Sequence, residues 1–255
     1  MVPEDRFSVR DRVVLITGAS RGIGRETADA FAAAGARLVL TSRSRADVDA
    51  TAAEIREHGA QAIAVEADVT STASVDRLVA TALEAFGRID VLINNAGVYL
   101  NRPALETTED EWDLMTDTNL KGVFFASCRV ARAMIDQQYG RIINISSALS
   151  LVAQNGYACY GATKAGIQQL TRVLALEWAS SNVTVNAIAP TSTVTPQTAE
   201  RLSTPTALAQ AQERIPLGRF CQADDVIGAA LYLSSPAAGF VTGQTIYVDG
   251  GLSLP

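Results

Sequence analysis

A chain of 255 residues, 48% hydrophobic and 19% charged, is long and apolar enough to bury one large core, which excludes a disordered polymer. A formal net charge of −6 argues against nucleic acid or an anionic membrane as the main partner. The single histidine, His58, cannot build a His-rich metal site, and Cys128, Cys159 and Cys221 lack CxxC spacing and read as buried free thiols, so no metal centre is expected.

The charged opening stretch MVPEDRFSVRDR does not read as a signal sequence, and no apolar run approaches the ~18 residues of a membrane span, so a cytoplasmic protein is expected. Short apolar runs then recur at 12–17, 37–41, 61–67, 90–97, 141–147, 183–190 and 245–251. They read as seven strands, the first six too continuously apolar to expose a face. Helical patterns lie between them at about 20–34, 46–58, 71–86, 110–137, 157–180 and 223–234. Strict alternation of this kind predicts one α/β domain over residues 1–255, a doubly wound parallel sheet of Rossmann type with helices on both faces. The stretch 191–218 breaks the alternation with threonines, prolines and short helical pieces but no strand, and residues 191–215 read as a substrate lid.

The first strand runs directly into TGASRGIG at 17–24. Gly18 permits a tight turn, Gly22 lets backbone approach a phosphate, and Gly24 allows close packing of helix on strand. The free N–H groups from Ser20 to Gly24, Ile23 among them, and the helix dipole would hold a pyrophosphate. The spacing is G-x-x-x-G-x-G rather than G-x-G-x-x-G. Strand two ends in Thr41-Ser42-Arg43, which offers no carboxylate to a ribose 2′-hydroxyl. Arg43 and Arg21 could instead fork onto a 2′-phosphate, which favours NADP(H) over a possible NAD(H).

Nineteen of the 21 basic residues are arginine, and the only lysines are Lys121 and Lys164. Lys164 closes NGYACYGATK, four residues after Tyr160 and so on the same face of a helix. The glycine turn, Asp68 after strand three, NNAG at 94–97, Asn119, Ser147, YxxxK at 160–164 and NAIAP at 186–190 together resemble the short-chain dehydrogenase/reductase family in its form of about 250 residues. The resemblance covers nearly the whole chain. It implies an oxidoreductase that interconverts a ketone and a secondary alcohol with an Asn–Ser–Tyr–Lys tetrad.

The side chains suit that chemistry. A phenol of pKa ~10 is too weak an acid to cycle near neutral pH, and a nearby ammonium and an oxidised nicotinamide should both draw it down. Tyr160 is therefore expected as the acid/base, Lys164 as its compact cationic partner and ribose ligand, and Ser147, closing strand five, as the group that holds the substrate oxygen. Ser146 should point the other way. The resemblance further implies that Asn119 orders a water relaying protons to Lys164, that Asp68 accepts from the adenine amino group beside the Val69 backbone, and that Asn95, Ala96 and Gly97 border the adenosine ribose. It places Thr193 and Thr195 at the carboxamide and phosphate, and implies a homotetramer built on helices 110–137 and 157–180. Where the family reads Pro-Gly, this chain has Pro190-Thr191, which would be strained if the glycine's φ were positive.

Val98, Tyr99, Leu149, Val152, Gln154 and Tyr157 are expected to shape the substrate pocket. The pattern is similar both to 3-oxoacyl-carrier-protein reductases and to sugar-acid or polyol dehydrogenases, with NAIAPT and RIPLGR leaning toward the latter. A catalytically silent NAD(P)-binding regulatory module on the same fold is the alternative. An epimerase or dehydratase would need more than the 60-odd residues that follow strand six.

Overall fold

Alternating apolar positions along the first strand already separate two cores. In a computed structural model that describes residues 4–196 and 198–254, β1 (Val13–Thr17) sends Val14 and Ile16 to one face and Val13 and Leu15 to the other, all fully buried. On the first face, Phe31 of α1 (Gly22–Ala33), Val48 and Ile55 of α2 (Arg45–Glu57) and Val226 and Leu233 of α9 (Ala223–Ser234) cover the sheet. On the second, Leu78 of α3 (Thr72–Phe86), Val130 and Met134 of α5 (Gly122–Asp136) and Leu174 of α6 (Ala158–Trp178) do the same. Each fully buried aliphatic side chain contributes about 1.5–3 kcal/mol, so covering both faces accounts for most of the driving force.

The main sheet adds β2 (Arg37–Ser42), β3 (Ala62–Glu66), β4 (Val91–Asn94), β5 (Gly140–Ile145), β6 (Val183–Pro190) and β9 (Thr245–Val248). Its order is β3-β2-β1-β4-β5-β6-β9, every pairing parallel, as the alternation predicts. The order reverses between β1 and β4, and such reversals open a crevice at the carboxyl ends of the strands. Four sequence expectations need correction. β3 is not covered on both sides: as an edge strand with one neighbour it leaves Ile63, Ala64 and Val65 half-buried and Glu66 exposed. β5 ends at Ile145, so Ser147 does not close the strand but lies beyond it, as the cap of a short 3-10 turn at Ala148–Ser150.

The helix expected at 110–137 is broken into α4 (Glu109–Thr116), a π-helical turn at Asp117–Lys121, and α5. The stretch 191–218 does hold a strand: β7 (Thr193–Val194) pairs in parallel with β8 (Cys221–Gln222), clipping both ends of the segment that carries α7 (Ala199–Leu202) and α8 (Pro205–Arg214). Gln197, within the expected lid, lies outside the described residues. Thr191 is not strained. Among the described residues it is absent from the positive-φ positions, and its N–H donates to the Val248 carbonyl at 3.3 Å. Cys159 and Cys221 are buried, Cys128 half-buried, and all three are free thiols. No helix of the described residues is long and apolar enough to cross a membrane.

Candidate active site

The turn after β1 is shaped for something to lie on it. Gly18 sits at φ +66°, and a Cβ there would come within 2.9 Å of the Ala96 Cα. A Cβ on Gly24 would meet the Gly18 carbonyl and the Asn95 amide at 2.3 Å. Gly22 starts α1 at φ +58°, and the residue before it, Arg21, supplies no side-chain cap; no acid occupies the first turn. Three other helices are capped at this end: Ser44 accepts from Asp47 N–H, Ser71 from Ser74 N–H, and Thr108 forms a capping box with Glu111. An open, electropositive helix start beside a glycine cradle fits a pyrophosphate, so the residues present suit a dinucleotide.

The turn is anchored from the β4 side. Thr17 Oγ1 accepts from the N–H groups of Asn95 and Ala96 at 3.0 Å, and Asn95 Nδ2 donates to the carbonyls of Thr17 and Gly18 at 2.9 and 3.0 Å. The Asn95 amide thus faces the turn and serves as a clamp, leaving Ala96 and the exposed Gly97 as the outer border. Ala19 N–H donates to Thr41 O, tying the same turn to the end of β2. Arg21 and Arg43 both project into solvent there, without a hydrogen bond or ion pair among the described residues, whereas Arg45 is held by Asp49 at 2.6 Å. Ser42 is buried and its hydroxyl donates to Ser44 O. One Asp68 oxygen accepts from Thr70 N–H and Oγ1, and Val69 packs its carbonyl against Gly122.

Beyond β5 the catalytic candidates converge. Ser146 Oγ donates to the Lys164 carbonyl at 2.9 Å, turned into α6, while the Ser147 hydroxyl accepts from Leu149 N–H at 3.2 Å and lies beside the Tyr160 phenol. Lys164 is 4% exposed, donates from Nζ to Ile145 O at 2.8 Å, and lies 5.6 Å from the Tyr160 ring centre. Asn119 sits in the π-helical turn, a distortion that recurs at functional sites. Its amide clasps one residue: Oδ1 accepts from Val98 N–H and Nδ2 donates to Val98 O, both at 2.8 Å, with Thr163 Oγ1 at 3.3 Å. The awkwardness of asparagine within a helix is resolved by the wider turn, which aims its side chain at the β4 loop.

The electrostatics differ from the expectation. Burial pushes the Tyr160 phenol up to about 12, the neighbouring Ser147 hydroxyl opposing only part of it and Tyr157 and Tyr99 adding to it. Burial also draws Lys164 down to about 8. The ammonium does not dominate its neighbour because both groups are desolvated together. Tyr157 and Tyr99 meet the Tyr160 ring edge-on, at 6.1 and 6.3 Å between centres. Leu149 and Val152 are half-buried nearby, the Leu149 carbonyl lying against Gly161, and Gln154 is exposed.

In the lid, Thr193 Oγ1 donates to Thr191 O, and the Thr195 hydroxyl meets Thr198 Oγ1 at 3.2 Å, so both threonines brace the lid's first turn. Two polar groupings escaped sequence reasoning. Asn94 Nδ2 donates to Ser127 and Asn144, and Asn144 to Thr171, a buried ladder across β4, β5, α5 and α6. Gln168, one turn past Lys164, donates to Ser150 Oγ at 2.5 Å and Tyr247 OH at 2.9 Å, and Ser150 Oγ donates to Ser147 O. Only the i+4 spacing of Gln168 from Lys164 could have hinted at it.

Known proteins converge on this arrangement. A family model described as enoyl-(acyl carrier protein) reductase matches residues 18–253. A 3-oxoacyl-[acyl-carrier-protein] reductase of Synechocystis is 44% identical over 95% of this chain and 97% of its own length. A 3beta-hydroxysteroid dehydrogenase of Eggerthella lenta is 39% identical over 96% of this chain and 95% of its own. The crystal structure of a gluconate 5-dehydrogenase from Burkholderia cenocepacia, in complex with NADP and tartrate, superposes with a TM-score of 0.94 at 36% identity, covering 98% of each chain. The glycine cradle, the Ser147–Tyr160–Lys164 cluster and these full-length likenesses make the chain a member of the short-chain dehydrogenase/reductase family, oxidoreductases acting on alcohol and carbonyl groups.

Proposed function

We propose that the protein is an NADP(H)-preferring oxidoreductase that interconverts a ketone and a secondary alcohol, with Asn119, Ser147, Tyr160 and Lys164 as its catalytic group. The observation that carries this reading is the buried Lys164 ammonium beneath the Tyr160 ring, 5.6 Å from its centre, with the Ser147 hydroxyl beside the same phenol. A nicotinamide dinucleotide laid on the glycine turn would supply or accept the hydride. Tyr160, kept protonated by burial, donates its phenolic proton to the oxygen of the reduced carbonyl, and Ser147 holds that oxygen in place. Lys164, fixed by Ile145 O, carries the charge that stabilises the phenolate left behind. Asn119 fixes Val98 and with it the loop that borders the pocket.

Arg21 and Arg43, both without a side-chain partner among the described residues, suit a 2′-phosphate, and two relatives of known structure are described with bound NADP. Gly18, Ser20, Gly22, Ile23, Gly24, Asp68, Val69, Ala96, Gly97, Thr193 and Thr195 would border the rest of the dinucleotide. Val98, Leu149, Gln154 and Tyr157 would border the substrate. Leu176 and Val173 on α6 and Phe240 before β9 are exposed, in keeping with a homotetramer in the cytoplasm. Light scattering should give about four times the 26.9 kDa chain mass.

The decisive test is a screen of ketones and alcohols that follows reduced nicotinamide absorbance, with Tyr160→Phe alongside. Turnover should fall at least about 10³-fold in that variant while cofactor affinity changes little, since the ring still packs. Tyr157→Phe should alter the Michaelis constant instead. Wild-type turnover in Tyr160→Phe would overturn the assignment, and cofactor binding without turnover on any substrate would favour the regulatory module.

A further inference from the structure

The relatives disagree about substrate: a carrier-bound oxoacyl group, a steroid and a sugar acid. The surroundings of Tyr160 discriminate among them by charge. The loop after β4 lies against the turn before α6: Arg102 N–H donates to Gly156 O at 2.8 Å, and Asn101 packs on Gly156. α4 follows directly and also leans on the start of α6, the Trp112 carbonyl lying 4.0 Å from Cys159 Sγ, one residue before Tyr160. Residues 101–117 therefore form one bank of the site.

That bank holds six carboxylates, Glu106, Glu109, Asp110, Glu111, Asp113 and Asp117, against one cation, Arg102. Arg102 is already taken by Glu111 at 2.9 Å, and Asp117 by Lys121 at 3.1 Å. Glu106, Glu109, Asp110 and Asp113 remain exposed and meet no cation among the described residues. Three acids in the first turn of α4 complement its dipole, yet their field still reaches the neighbouring mouth over about one Debye length. The inner wall is apolar and aromatic: Tyr99, 52% exposed, and Tyr157 stand edge-on to Tyr160, beside half-buried Val98, Leu149 and Val152 and with Leu151 62% exposed at the rim.

We infer that the site takes an uncharged, free ketone or alcohol with a flat ring or bulky apolar body, and disfavours sugar acids and acidic carriers. The inference rests on the ketone–alcohol reading above. Rings of this kind pack on tyrosine faces and edges, and removal from water drives them in. A carboxylate would have to approach past four unneutralised acids, and an acidic carrier would meet the same repulsion over a larger surface.

The experiment compares the ethyl ester and the free acid of one aryl 3-oxo acid, together with a 5-oxo sugar acid, at saturating NADPH and at low and high salt. The ester should exceed the free acid at least tenfold in kcat/KM at low salt, with the gap narrowing as salt screens the bank. Asp110→Asn/Asp113→Asn should raise kcat/KM for the acid severalfold and leave the ester unchanged. Tyr99→Ala should raise the KM of the aryl ester about tenfold. Preference for the free acid or the sugar acid at low salt would overturn this inference while leaving the oxidoreductase reading intact. Failure to turn over any of the three or any other carbonyl compound would overturn both.

Discussion

At the amino edge of the sheet, Asp90 is 1% exposed and accepts from Val13 N–H at 2.9 Å, with Arg12 and Arg88 closing on the same carboxylate. At the carboxyl edge Lys164 is about as deeply buried and meets no carboxylate among the described residues. The amino edge also holds a cavity of about 490 Å³ walled by Arg10, Arg12, Arg37 and Arg88, but Arg37 is forked onto Asp11 O and stacked over Phe86. Arg21 and Arg43, at the other edge, have no side-chain partner among the described residues. At the amino edge Asp90 and Arg37 are matched within the fold, and the buried Arg141 rests on the Gly140 and Asn182 carbonyls and the Tyr139 ring; at the carboxyl edge Lys164 is held by a carbonyl, and Arg21 and Arg43 are left open. A buried ammonium with no carboxylate partner is costly, and its place four residues from Tyr160 at the carboxyl edge points to a task outside folding.

The sharpest way to break the contrast is Lys164. Lys164→Arg keeps the charge but not the compact ammonium that fits against Ile145 O, so kcat should fall by about two to three orders of magnitude. The same lysine should cost stability. Its ordinary pKa is 10.5 and burial lowers it to about 8, so between those values the unfolded chain holds a proton that the folded one has released. Stability therefore rises with pH through that window, and below pH 8 the burden is about 3 kcal/mol. Lys164→Met should be inactive yet more stable at pH 7 by up to that amount, the difference vanishing toward pH 10.5. Urea unfolding at pH 7 and pH 10 measures it, and equal stability at both would break the contrast.

Asp90 tests the matched edge. Asp90→Asn leaves Arg12 and Arg88 facing a neutral amide, and both are partly exposed, so the loss should be about 2–3 kcal/mol rather than the 3–5 of a fully buried pair. Unfolding should shift accordingly while kcat stays at the wild-type value, because Asp90 lies at the far end of the strands. A fall in kcat at full folding would show that the two edges are coupled.

How much of this was legible follows from how local each signal is. Strands β1, β2 and β6 stand within a residue of their expected ranges, because four to eight consecutive apolar residues carry their own pattern. β7 and β8, two residues each, have no period to read and exist only through each other. The π-helical turn at 117–121 left one trace, an asparagine in an apolar helix, but nothing local marks the extra residue in the turn. Alternation sets Ser146 and Ser147 facing opposite ways, even though the strand stops earlier than expected, and the choice of Ser147 comes from the family resemblance through its 13-residue offset from Tyr160. The Asn94–Asn144–Thr171 ladder joins residues up to 77 positions apart, a distance at which a single sequence offers no pairing signal. The desolvation around Tyr160 was hidden for a related reason: the ammonium four residues away was visible, the burial was not.

The open edge is tested more finely by Arg43. A charge-assisted hydrogen bond contributes about 1.5–3 kcal/mol, so two exposed arginines should favour NADP(H) over NAD(H) by roughly tenfold to a few hundredfold. Arg43→Ala should remove most of that preference through weaker NADP(H) binding, with NAD(H) little changed. Ser42→Asp should invert it, although the buried Ser42 hydroxyl, which donates to Ser44 O, must be displaced. Equal kcat/KM with NADH and NADPH in the wild type would show that the unpaired arginines are only solvated surface charge.

The smallest effect belongs to Gln168, which separates holding a charge from placing a hydroxyl. Its amide links Tyr247 on β9 to Ser150, and Ser150 Oγ donates to the Ser147 carbonyl, so the serine turn is braced from the far side of α6. Gln168→Leu keeps the bulk but frees Ser150, and a displacement of Ser147 by a few tenths of an ångström should lower kcat about three- to tenfold. Cofactor affinity should not move, because the glycine turn is anchored separately by Thr17 and Asn95. Tyr247→Phe removes one link and leaves the other, so it should cost less than Gln168→Leu, and the double variant should cost no more than Gln168→Leu alone. Additive losses would mean that the two residues act separately and that Ser147 is held by its own turn.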